Sequence, residues 1–120
     1  ELPGGMVGNT LEWLAENVEA NRSLVAGRAS VARLVWGNVA DVRALHKSSH
    51  GFDLVLGSDL LYEPRSYDAL LLMLHEFVGP GGAVLGYPVR HGREQQFLSL
   101  VEDVGVLRAT QSHVLEPHDE

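Results

Sequence analysis

Cysteine is absent from the sequence, which excludes disulfides, thiolate nucleophiles and cysteine metal ligands. The absence agrees with a reducing compartment. Basic residues are scarce: nine Lys and Arg face sixteen Asp and Glu, a formal net charge of -7. A protein that binds a phosphate backbone needs a basic face, so no nucleic-acid partner is expected. The balance fits small-molecule or protein partners instead. Long apolar runs are also missing. A membrane span needs about 20 apolar residues, and the run from Ala69 to Leu74 is broken by His75 and Glu76. No membrane association is expected. The opening "ELPGG" has no basic segment leading into an apolar one, so no signal peptide is expected. The first residue is not Met, which leaves room for residues upstream.

What is present suits one folded domain over residues 1–120, with 45% hydrophobic and 21% charged residues. Asn9 followed by Glu12 has the spacing of a capping box, and Leu11, Leu14, Ala15 and Val18 recur at helical spacing. These predict a helix over Thr10–Asn21. "SVARLV" alternates and is rich in β-branched residues, which predicts a strand over Ser30–Val35. A short helix is expected near Asp41–Leu45, and a buried parallel strand in "FDLVLG". Leu70, Leu71, Leu74, Phe77 and Val78 share a face of a helix expected over Ser66–Val78. "GPGG" ends it, "AVLGY" is the next strand, and a helix follows with Phe97, Leu98, Val101 and Val104 inward and Gly105 as its stop. "VLRATQSHVL" alternates and predicts a final strand. Strands alternating with helices indicate an α/β fold with a mainly parallel sheet.

In such sheets ligands sit outside the carboxyl ends of the strands. Those ends hold Trp36 and Gly37, then Gly57, Ser58 and Asp59 with Tyr62, then Tyr87 leading to Arg90. An aromatic ring can stack on a base, a glycine admits close backbone approach, and a carboxylate accepts hydrogen bonds from hydroxyl or amino groups. Each feature alone is common: Trp-Gly after a strand is usually packing and a turn, and Asp there is usually a cap or turn residue. His46 and His50 lie four positions apart, but "HKSSHG" is a poor helix and supplies no third ligand, so no metal site is expected.

Taken together, the pieces resemble a known family. "ELP" followed by "LEWLAENVEAN", then "LVWG", "FDLVLGSDLLYEP", "GPGGAVLGY" and "VRHGREQQFLSLVE" occur in the order found in the carboxyl-terminal part of seven-strand S-adenosylmethionine-dependent methyltransferases. More narrowly they resemble the non-SET protein-lysine methyltransferases. The resemblance implies a Rossmann-like sheet, S-adenosylmethionine as cofactor, and methyl transfer to a protein lysine amine. It implies that Glu1 holds the cofactor ribose, Trp36 and Gly37 lie by the adenine, and Gly57 and Ser58 run along the adenosine. It makes Asp59 and Tyr62 the acidic-x-x-aromatic pair at the entrance to the methyl-transfer site, with Arg90 and Arg93 on a loop where they either meet substrate or are solvated. The expected location is the cytoplasm, with the nucleus also open.

One family feature is missing. No strand with a glycine-rich turn precedes Glu1, so the chain resembles a partial domain lacking the first two strands and that turn. The resemblance therefore leaves three arrangements open: a segment elsewhere in the protein, strands lent by a second chain, or strands re-paired into a smaller sheet. It also leaves a second function open, a non-catalytic methyltransferase-like module that pairs with another chain. Methylation of a small molecule is a third reading, because the cofactor half of the family pattern says little about the acceptor.

Overall fold

The computed structural model describes residues 4–25, 27–49, 51–89 and 92–109, with the side chains of residues 4–8 left aside. The chain divides into two compact units, Glu1–Ser48 and Ser49–Glu120. Among the described residues, no helix is long and apolar enough to cross a membrane.

The first unit is built from α1 (Gly4–Ala20), a 3-10 helix at Arg22–Leu24, and α2 (Val39–Ser48). The helix expected from Thr10 begins earlier, at Gly4, and Asn9 lies inside it rather than capping it. Glycine weakens a helix by about 1 kcal/mol relative to alanine but does not forbid one, so Gly4 and Gly5 do not delay its start. Asn21 closes α1, its side-chain amide donating to the Asn17 carbonyl at 2.8 Å.

The strand expected over Ser30–Val35 does not form; these residues run without regular secondary structure. Alternation alone cannot make a strand without a ladder partner. The Val35 amide instead donates to the Asp41 carboxylate at 2.8 Å, and Arg33 approaches the same oxygen at 3.4 Å. Val35 to Asn38 is a turn closed by a 2.9 Å bond from the Asn38 amide to the Val35 carbonyl. Gly37 sits in it at φ +83°, a conformation that favours glycine. Asn38 then caps α2, its side-chain oxygen accepting the Asp41 amide at 3.0 Å. With that cap in place the helix runs longer than the Asp41–Leu45 expected.

The second unit contains β1 (Val55–Ser58), a 3-10 helix at Pro64–Ser66, α3 (Tyr67–Phe77), β2 (Ala83–Gly86) and α4 (Arg93–Val104). β1 and β2 form a parallel pair, Val55 opposite Ala83 and Ser58 opposite Gly86, joined through α3. This is the expected α/β arrangement, in a sheet of two strands. "FDLVLG" is not the buried strand expected, however: Leu54 and Leu56 are exposed, because so small a sheet leaves one face uncovered within this unit. Leu61, Leu70, Leu71, Leu74, Phe77, Phe97 and Val101 are buried, with Tyr67 and Met73. Phe77 also meets Phe52 edge to face, ring centroids 5.9 Å apart. Two inward assignments shift: Val78 lies just beyond α3 and is half-buried, while Val104 is exposed at the last residue of α4. Gly105 ends α4 as expected, at φ +73°, its amide returning to the Val101 carbonyl at 3.1 Å.

The "GPGG" turn explains why β2 starts where it does. The Gly81 amide donates to the Asp53 carbonyl at 2.7 Å, and a side chain at Gly79 or Gly81 would strike the Phe52 or Asp53 carbonyl. The two glycines let the turn lie against the chain entering β1. Of the expected last strand, residues 106–109 are not in a strand, and the remainder lies outside the described residues.

Candidate functional site

β1 does not simply stop at Ser58. The Asp59 amide donates to the Gly86 carbonyl at 2.8 Å, carrying the ladder one residue further. Asp59 is then in the left-handed region at φ +55°, and no other described non-glycine residue has a positive φ. Aspartate and asparagine tolerate this region better than most residues. The result is an exposed carboxylate-bearing residue at the carboxyl ends of both parallel strands, where ligands of α/β sheets sit.

The chain then turns. Leu61 points into the core and is 5% exposed, whereas Tyr62 is 53% exposed. The Leu61 carbonyl accepts the buried Tyr67 hydroxyl at 2.9 Å. The Tyr62 carbonyl accepts Arg93 Nη1 at 3.2 Å. Glu63 caps the 3-10 helix, its carboxylate accepting the Arg65 amide at 3.3 Å. The Tyr67 ring packs edge to face on Phe97, centroids 5.4 Å apart, and neither ring is open to solvent. The pKa of the Tyr67 hydroxyl is pushed above its ordinary value, first by burial, then by the Glu94 carboxylate and more weakly by Glu63, while Arg93 opposes the shift.

Gly57 has a packing role. A side-chain carbon there would lie 2.5 Å from Leu60 Cδ1 and 2.8 Å from Leu85 Cδ2, so those leucines fill the space that the glycine leaves. A Cβ at Gly86, by contrast, would meet nothing within 4 Å. Ser58 is exposed beside it.

The structure thus brings Gly57, Ser58, Asp59 and Tyr62 into one strand end and turn. Trp36 and Gly37 belong to the first unit, where Trp36 is half-buried in the Val35–Asn38 turn. Glu1 and Arg90 lie outside the described residues. Arg93, one of two arginines expected on the substrate loop, reaches back to the turn. No motif in the sequence assigns Tyr67 or Glu94 to this neighbourhood. The available signal was a tyrosine at the start of an apolar helix, since a buried tyrosine hydroxyl needs a partner. An exposed carboxylate, the Ser58 hydroxyl and the open space over Gly86 fit a ligand carrying hydroxyl and amino groups.

The sequence model of the lysine methyltransferase family matches residues 7–104. The zebrafish (Danio rerio) protein N-lysine methyltransferase METTL21A is 33% identical over 93 residues, covering 74% of this chain and 40% of that protein. Its mouse (Mus musculus) counterpart is 34% identical over 95 residues, 77% and 41% of the two chains. Mouse EEF1A lysine methyltransferase 3 is 36% identical over 108 residues, 83% and 44%. The chain therefore spans less than half the length of these relatives. No solved structure matches it. From the family match and these relatives, the chain belongs to the lysine methyltransferase family.

Proposed function

We propose that the protein is an S-adenosylmethionine-dependent methyltransferase acting on a protein lysine amine. In this reading residues 1–120 are the carboxyl-terminal part of one Rossmann-like domain that works in the cytoplasm or nucleus. The family match crosses both compact units, which supports their belonging to one domain. The relatives' names, which state lysine methylation, support the acceptor. The single observation that carries the site is Asp59, held in a left-handed conformation beyond the ends of both strands by its bond to Gly86.

S-adenosylmethionine, when bound, supplies an electrophilic methyl group on a sulfonium sulfur. The residues of this chain bind and orient. Gly57 and Ser58 would present strand-end backbone and a hydroxyl to the adenosine, and by the family resemblance Trp36 and Gly37 would serve the adenine and Glu1 the ribose hydroxyls. The Asp59 carboxylate accepts hydrogen bonds from the incoming neutral amine, and the Tyr62 ring forms a wall beside it. Orientation and exclusion of water are the main demands of such a transfer. Calorimetric titration of the full-length protein with S-adenosylmethionine tests the reading. Binding that weakens in S58A supports it; a protein that takes up no cofactor sinks it.

A second reading has its own support. Leu54, Leu56 and Val84 are exposed, and alternation and register place all three on one face of the β1–β2 pair. A contiguous apolar face suits a non-catalytic module docked on another chain. A strictly monomeric protein in sedimentation would count against it.

A further inference from the structure

We propose that Arg93 and Tyr67 are positioning residues for the Asp59–Tyr62 turn, holding two consecutive carbonyls from two different helices. The proposal rests on the methyl-transfer reading above, in which this turn meets the acceptor amine.

Three backbone groups within four residues are tied to separate elements. The Asp59 amide is held by Gly86 at the end of β2. The Leu61 carbonyl is held from inside by Tyr67, the first residue of α3. The Tyr62 carbonyl is held from outside by Arg93, the first residue of α4 and 31 positions away. The two helices are themselves locked together at this end by the Tyr67–Phe97 ring contact. A non-glycine residue in the left-handed region persists only where its surroundings over-determine it. Here the surroundings are these ties, and the side chains of Asp59 and Tyr62 are left exposed on a fixed backbone. Such fixing matters to catalysis, because displacing a reacting group by about 1 Å costs roughly a hundredfold in rate. Lysine at position 93 keeps the charge but loses the planar fork that can reach a carbonyl while remaining solvated.

The test compares the full-length protein with R93M, R93K and Y67F, by amide hydrogen exchange and by steady-state methyl transfer. In R93M and in Y67F the amides of residues 59–63 exchange about tenfold faster, the effect of losing one such bond. In R93M protection over residues 70–77 stays unchanged; in both variants kcat falls about tenfold and the cofactor KM stays within about twofold. R93K recovers part of both effects. Unaltered exchange in the turn overturns the proposal, as does a loosened turn with unchanged kcat. Equal loss of protection across residues 70–77 and 97–101 in R93M also overturns it, since Arg93 would then be merely structural. If the unaltered protein transfers no methyl group, the functional reading fails, while the exchange pattern still decides whether Arg93 and Tyr67 hold the turn.

Discussion

The amide of Asp59 donates to the carbonyl of Gly86 at 2.8 Å, so the parallel ladder reaches one residue beyond β1 and ends on a left-handed aspartate. That bond joins the end of one strand to the end of the other, and it sets where the exposed carboxylate stands.

The backbone conformation at Asp59 separates stability from function. A non-glycine residue in this region carries a strain of about 1 kcal/mol or more. Asp59→Gly relieves it, so the unfolding free energy from urea titration holds or rises, by up to about 1 kcal/mol, while methyl transfer falls. Asp59→Val lowers stability by about 1–2 kcal/mol, since a β-branched residue fits this region poorly. A substantial loss of stability in D59G would mean that the carboxylate itself is a structural group.

Glycines in the second unit rank by what a side chain would meet. Gly57→Ala presses on the flexible ends of Leu60 and Leu85 and costs about 1–3 kcal/mol. Gly81→Ala meets the Asp53 backbone carbonyl, which has no rotamer to give, and costs more than Gly57→Ala. Gly86→Ala meets nothing and stays within about 0.5 kcal/mol. Chemical denaturation of the three variants checks the order.

Tyr67 gives a pH signature. Its folded pKa is raised above the ordinary 10.0, mainly by burial. The folded state therefore favours the protonated hydroxyl. The stabilisation is complete below about pH 10, and it is lost as pH rises through the folded value. Tyr67→Phe removes this alkaline loss but leaves the Leu61 carbonyl without its hydroxyl donor, which costs about 1–3 kcal/mol at neutral pH. The difference between the wild-type and Y67F stability curves should narrow above pH 10. A constant gap would show that the hydroxyl does not titrate with folding.

Leu56 on the open sheet face is 72% exposed. Leu56→Ser should change monomer stability by less than about 0.5 kcal/mol. If the face docks on another chain, the same change reduces association in sedimentation. Unchanged association would remove the support for the second reading.

The sequence made the helices of the second unit legible, because their apolar spacing agrees with tertiary packing, and its two strands legible as short apolar runs, although Leu54, Leu56 and Val84 are exposed. Leu70, Leu71 and Leu74 repeat at helical intervals and are all buried. Gly105 and the "GPGG" turn were legible because the backbone there needs glycine. The Ser30–Val35 alternation misled, since a strand depends on a neighbour that local pattern cannot supply, and the Val35 amide found Asp41. Asn9 misled because a good cap residue does not stop a helix that continues through it. Asp59 was visible as a strand-end acid, but its left-handed backbone depends on Gly86. The ties from Tyr67 and Arg93 to the turn were not legible. One spans 31 positions, and both end on backbone carbonyls, which carry no side-chain signature.

The most direct test of the central claim is transfer of labelled methyl from S-adenosylmethionine to protein lysine by the full-length protein, compared with D59A. The account predicts that D59A cuts transfer by about a hundredfold, as lost orientation does, while cofactor affinity stays within a few fold. Equal transfer by D59A and the unaltered protein would contradict it.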